Sequence, residues 1–144
     1  MAVWCAGFVP SADAREVRVA TYNILDGTGD AGSVEYLALQ AVLARVDADV
    51  VCFQELQATS FAAWSNLASE LGYPYAAISG NGPFSGSLYC GYYSRFPILR
   101  TYNVDSPPGA VELTRFPFRA VIDVPDAQRP LVLWTMHHKS SADG

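Results

Sequence analysis

No stretch of this chain approaches the ~20 consecutive apolar residues that a membrane-spanning helix requires, so that class is excluded. Positive charge is scarce: nine Lys and Arg stand against 14 Asp and Glu, a formal net charge of −5 over 144 residues. That balance excludes a wide basic surface for non-specific nucleic-acid binding, while leaving room for a local phosphate cleft. Cysteine is sparse too. Cys5, Cys52 and Cys90 form an odd set without metal-site spacing, and Cys52 sits within an apolar run as a small buried residue would. Internal repeats, low-complexity tracts and linkers are absent, which implies one domain. With 51% hydrophobic and 16% charged residues, the chain is globular, long enough to bury roughly 70% of its unfolded surface.

Residues 1–14 stand apart. Ala2 to Val9 is a short apolar patch, and Ser11-Ala-Asp-Ala14 ends in an Ala-x-Ala-like triplet. The pattern is that of a secretory-signal remnant without a basic n-region, so secretion is one expectation and a plain N-terminal tail the other.

Ala48-Asp-Val-Val-Cys-Phe-Gln-Glu55 organises the rest. Its first six residues carry one charge and read as a buried strand that delivers Gln54 and Glu55 at its C-terminal end. A carboxylate leaving water needs a partner, so Glu55 either meets a cation there or marks the strand's exit into solvent. Upstream, residues 16–25 alternate as a strand, with Val17, Val19, Thr21 and Asn23 on one face and Ala20, Tyr22 and Ile24 on the other. Ser33 is the expected N-cap of a helix running to Val46, with Val34, Leu37, Ala38, Ala41 and Val42 as its apolar stripe. If the two strands lie parallel, their C-terminal ends emerge on one side. Asn23 and Glu55 then face a common crevice, where open α/β sheets bind ligands.

A second helix is expected over residues 59–71, packing Phe61, Trp64, Leu67 and Leu71, with Gly72 as its stop. Loops are expected at residues 81–87 and around Pro107-Pro-Gly109. Residues 88–93, 116–124 and 131–137 read as strands with no helix between them, hence antiparallel or mixed sheet.

Gly27-Thr-Gly-Asp-Ala-Gly32 matches G-x-G-x-x-G between a strand and a helix, with the acidic Glu55 further on. A dinucleotide-binding domain using Gly27, Gly29 and Gly32 is therefore one reading. Against it, Asp26 and Asp30 add negative charge where a pyrophosphate would sit, and the second half lacks further strand–helix units.

A different reading joins four pieces: Val19-Ala-Thr-Tyr-Asn-Ile24, Asp49-Val-Val-Cys-Phe-Gln-Glu-Leu56, Gly91-Tyr-Tyr-Ser-Arg-Phe-Pro-Ile98 and Trp134-Thr-Met-His-His-Lys-Ser140. In this order they resemble the endonuclease/exonuclease/phosphatase family, the superfamily of DNase I-like nucleases, AP endonucleases, sphingomyelinases and inositol-phosphate phosphatases. The resemblance implies an α/β (α+β) fold, a sandwich of two mixed β-sheets flanked by helices, and a metal-dependent phosphoesterase. It implies that Glu55 binds Mg2+ or Mn2+, that Asn23 helps to hold the metal, its water or the phosphate, and that His137 contacts the scissile phosphate. His138 replaces the family's usual Leu. Arg95 and Lys139 are left outside the site as solvated charges. Substrates consistent with the resemblance are nucleic acid, a phospholipid head group or a small phosphorylated metabolite. A non-catalytic binding module of the same fold is a further alternative.

The family's Gly-Asp-x-Asn and Asp-His motifs have no match here. Residues 15–144 are accordingly expected to be the N-terminal part of a longer domain, nearly inactive alone because a general base must lie within hydrogen-bond reach of the attacking water. Half a sandwich also exposes apolar faces and strand edges, so self-association is expected.

Overall fold

The computed structural model describes residues 15–25, 27–80, 88–105 and 116–137. The expected loops at 81–87 and 107–109 lie outside these residues, as do His138, Lys139 and the N-terminal patch. Strand β1 (Val19–Asn23) leads through helix α1 (Val34–Val46) to β2 (Val50–Gln57). A 3-10 turn (Ala58–Ser60), helix α2 (Phe61–Glu70), and strands β3 (Tyr75–Ile78), β4 (Leu88–Ser94), β5 (Ile98–Asn103), β6 (Phe118–Ile122) and β7 (Leu131–Thr135) follow. They form two sheets, ordered β1-β2-β4-β3 and β5-β6-β7.

β1 and β2 are parallel and in register, Asn23 opposite Gln54, while every other strand pair is antiparallel. The parallel pair is the crossover that the sequence pattern demands. The dinucleotide reading loses its context at the same point, because β2's second neighbour is antiparallel β4 and among the described residues no further parallel strand joins the sheet. Gly27 and Gly29 have a simpler cause. Both hold positive φ, and a Cβ on either would come within 2.6 Å of a serine Oγ, that of Ser60 or Ser33.

Ser33 caps α1 as expected, its Oγ accepting the Tyr36 amide at 3.2 Å. The helix's buried face is not the expected one. Tyr36, Leu39 and Leu43 are buried, whereas Val34, Leu37, Ala38, Ala41 and Val42 all face solvent. Apolar residues surround α1, so periodicity selects no single face; the stripe with the largest side chains hides the most apolar area. On α2 the expectation holds: Trp64 and Leu67 are buried and Phe61 and Leu71 pack against the same core. The short strands β3 and β5 escaped the sequence reading, since neither Tyr75-Ala-Ala-Ile78 nor the largely exposed β5 alternates strongly.

Two apolar layers result. Between the helices and the first sheet, Phe53, Trp64, Tyr73 and Tyr93 interlock, with Phe53–Trp64 and Phe53–Tyr93 meeting edge to face at 5.6 and 4.6 Å. Between the sheets lie Val50, Cys52, Cys90, Tyr92, Phe118, Ala120 and Ile122. Burial, and secondarily the Cys90 thiol, pushes the Cys52 thiol up to about 12, so Cys52 is an inert packing group. The buried Tyr92 hydroxyl donates to the Phe118 carbonyl at 2.6 Å.

β2 contains the feature that matters for function. Its pairing with β4 skips between Phe53 and Leu56, a β-bulge, and Glu55 within it has φ +63°. Strict alternation would send Phe53 and Glu55 to one face, Gln54 and Leu56 to the other. Instead Phe53 and Leu56 both enter the helix-side core, and Gln54 and Glu55 both turn toward β7 and the residues that follow it. Bulges re-aim side chains in this way. A left-handed conformation in a residue with a Cβ costs roughly 1–2 kcal/mol.

At the opposite end of β2, Arg95 bonds Asp47 and lies 5.4 Å over the Tyr73 ring, while Arg18 also pairs with Asp47. Arg95 therefore serves the fold, far from Glu55. Its hydrogen bond, with its charge, holds the Asp47 carboxyl below the usual carboxylate range.

Two outcomes follow from these geometries. Glu55→Gly should unfold at higher urea than Glu55→Ala, by about 1 kcal/mol, because both lose the carboxylate and only glycine relaxes the positive φ; the reverse order would show that φ is not positive. Asp47 has a depressed folded pKa, so its contribution is present above the ordinary Asp value and lost as pH falls through the folded one. Asp47→Asn should flatten the acid limb of a stability–pH curve and leave its shape near pH 7 unchanged.

Candidate functional site

Asn23 closes β1, Glu55 occupies the bulge of β2, and His137 lies two residues beyond β7. The sandwich brings the three together. His137 Nε2 is 3.2 Å from Glu55 Oε1 and 3.4 Å from Asn23 Nδ2. The Glu55 and His137 side chains are 13% and 23% exposed, enough for a ligand to reach them while water's screening is reduced. They line a small crevice with Ser79, Gly80, Tyr89 and Phe116, whose free space of about 10 Å³ holds about one water.

Each side chain is steered locally. Asn23 Oδ1 accepts the Leu25 amide at 3.0 Å, which turns the carboxamide so that its NH2 group faces the site. The bulge lifts Glu55 out of the helix-side core. His137 arrives on β7, whose Thr135, 2% exposed, is anchored to Gln54 at 2.7 Å. Gln54 was visible in the sequence only as Glu55's neighbour; Thr21 and Thr135 carried no signal beyond their places two residues before Asn23 and His137.

A protonated Nε2 can donate to the Glu55 carboxylate, whereas an unprotonated one can accept from the Asn23 NH2; one nitrogen cannot do both at once. The oxygen donor that the site presents is the Glu55 carboxylate, with the His137 imidazole alongside and the Asn23 NH2 facing them. That set suits a hard cation which keeps several waters and takes further oxygens from its substrate. It does not suit a closed zinc cage, which needs four N or S ligands, and among the described residues no three His, Cys, Asp or Glu side chains gather into one.

The profile of the Endonuclease/Exonuclease/phosphatase family matches residues 20–137, a span that includes Asn23, Glu55 and His137. No curated protein matches the chain significantly in sequence. Among solved structures, it resembles an endonuclease/exonuclease/phosphatase from Beutenbergia cavernae DSM 12333 with TM-score 0.66 and 21% identity, over 88% of this chain and 39% of that one. The human Nocturnin catalytic domain, solved with a bound sulfate anion, aligns with TM-score 0.60 and 16% identity, over 81% and 48%. ANGEL2, a 2',3'-cyclic phosphatase, gives 0.57 and 16%, over 79% and 37%. At these identities the likeness is one of fold, and this chain spans less than half the length of each of the three. The two-sheet sandwich is thus the DNase I-like one, and with the profile extending from the middle of β1 to His137, the chain belongs to the endonuclease/exonuclease/phosphatase family.

Proposed function

We propose that the protein of which this chain is at least a part hydrolyses phosphate esters, most naturally phosphodiesters, with a divalent cation. The observation that carries this reading is the convergence of Asn23, Glu55 and His137, drawn from three strands of two sheets, at one rim of the sandwich. Glu55 would hold Mg2+ or Mn2+, with Asn23 helping to hold its water or the phosphate, and the ion when bound supplies Lewis-acid stabilisation of charge developing on the phosphoryl oxygens. His137 Nε2–H would donate to a phosphate oxygen, a contact that strengthens as negative charge builds there. The Asn23 NH2 is a donor, suited to orienting the phosphate or a water rather than to giving electrons to a metal. The family and the phosphatase named among the structural neighbours support this chemistry; one ANGEL2 structure holds adenosine-2',3'-vanadate, which favours a nucleotide-like ester over a lipid head group.

We infer too that the chain alone turns over slowly. No Gly-Asp-x-Asn or Asp-His pair occurs in its sequence, and a water without a general base within reach is a poor nucleophile at neutral pH. A binding module that keeps the fold without the chemistry is the competing reading.

Calorimetry separates these. The chain should bind Mn2+ or Mg2+, and Glu55→Gln should weaken binding by about 10- to 100-fold or more with the far-ultraviolet spectrum unchanged. In a longer protein carrying the downstream motifs, the same change should abolish metal-dependent hydrolysis. Undiminished binding or activity would refute the assignment of Glu55, and NADH binding without metal dependence would revive the dinucleotide reading.

Self-association rests on a separate observation. Tyr102, Val132, Trp134 and Met136 are all exposed, and the Arg119 guanidinium lies between the Tyr102 and Trp134 rings at 5.1 and 5.7 Å. We propose that this outer face of the second sheet drives association, and that Val132→Lys with Trp134→Lys reduces it. Sedimentation at rising concentration should show higher species for the parent; a monomer at all concentrations would contradict this.

A further inference from the structure

Beneath the candidate site lies a second polar trio on the same three strands. Thr21, Gln54 and Thr135 stand two, one and two residues before Asn23, Glu55 and His137. Gln54 is 8% and Thr135 2% exposed. Gln54 Nε2 donates to Thr21 Oγ1 at 3.0 Å and to Thr135 Oγ1 at 2.7 Å, which uses both hydrogens of the carboxamide NH2. Thr135 Oγ1 lies 3.4 Å from the Phe53 carbonyl, so the hydroxyl has an acceptor on β2 as well.

Elsewhere the two sheets meet mainly through apolar side chains such as Val50, Ala120 and Ile122, joined by the Tyr92 hydroxyl, which bonds the Phe118 and Leu133 carbonyls at 2.6 and 3.2 Å. Apolar contact is non-directional; it holds the sheets together without fixing how one slides over the other. Hydrogen bonds are directional, and buried ones are costly to leave unmade. Tyr92 holds β7 at Leu133, and the Gln54 bond to Thr135 fixes the end of β7 against β2, two residues before the chain reaches His137.

We propose that Gln54 is a positioning residue: clamped between Thr21 and Thr135, it fixes His137 against Glu55 and thereby builds the phosphate-and-cation site. This deepens the proposed function and rests on it for the site's purpose, but the clamp itself makes a claim about geometry that needs no metal. A one-residue slip of β7 along its own axis would move His137 by about 3.3 Å, as far as its present 3.2 Å separation from Glu55.

The test uses the whole chain, histidine-labelled for NMR at one fixed pH. In the parent, Glu55→Gln should move the His137 imidazole resonances, since the two groups touch. In a Gln54→Leu background the same change should leave them nearly unmoved. Thr135→Val should act like Gln54→Leu, and Thr135→Ser, which keeps the hydroxyl, should restore the parental response; this pair decides the matter if Gln54→Leu fails to fold. Mn2+ affinity, read by calorimetry, should fall by about 10- to 100-fold in Gln54→Leu and Thr135→Val, as for other groups that orient a ligand, and recover in Thr135→Ser. If these variants lose stability in urea yet keep the full His137 response, the trio is structural only and the proposal falls. It falls also if Glu55→Gln leaves His137 unmoved in the parent. A parent that binds no Mn2+ but shows the predicted pattern of His137 responses would refute the metal reading and leave the clamp standing.

Discussion

A carboxylate turned the wrong way along its strand is what this architecture is built to hold. Alternation alone would drive Glu55 into the layer occupied by Phe53, Leu56 and Trp64, where an ionised group is strongly disfavoured. The extra residue in β2 and the left-handed backbone at Glu55 send it instead to the gap between the sheets. Strained backbone persists only where its surroundings over-determine it. Here the constraints come from both sides: the Phe53–Trp64–Tyr93 cluster grips the strand before the bulge, and Leu56 re-enters the same core directly after it.

β2 thus works as an axis with two different ends. At its start, Arg18, Asp47, Asp49 and Arg95 form an ionic lattice tying the turn after α1 to the turn after β4. At its end His137 meets both Asn23 and Glu55, and Glu55 and His137 line the crevice. The Tyr-Ser-Arg-Phe-Pro piece belongs to the first end and the Gln-Glu piece to the second. Motifs that identify the family together therefore have separate physical duties, one fastening the sheet and the other setting Glu55 beside His137.

The sequence made the crossover, the parallel pairing and the emergence of Asn23 and Glu55 at the same end of that pair legible, because each follows from local patterns: period-two alternation, a Ser cap, and the rule that parallel strands end on one side. What it concealed was either degenerate or non-local. The buried face of α1 was hidden because apolar residues surround the helix, so that volume, expressed in Tyr36, Leu39 and Leu43, decided in place of periodicity. The bulge left no mark, since Gln-Glu reads equally well as the end of a straight strand. Thr135 was illegible for a different reason: its significance exists only through a partner 81 positions away.

Separation along the chain has a consequence in time. Asn23 and Glu55 are joined by a single crossover, but His137 lies 114 residues from Asn23, and closing a longer loop costs more entropy before any contact rewards it. On a growing polypeptide the parallel pair has its partners early, whereas the imidazole emerges only after six strands have preceded β7. The site is therefore a late event in the molecule's history, completed by the last described strand to appear.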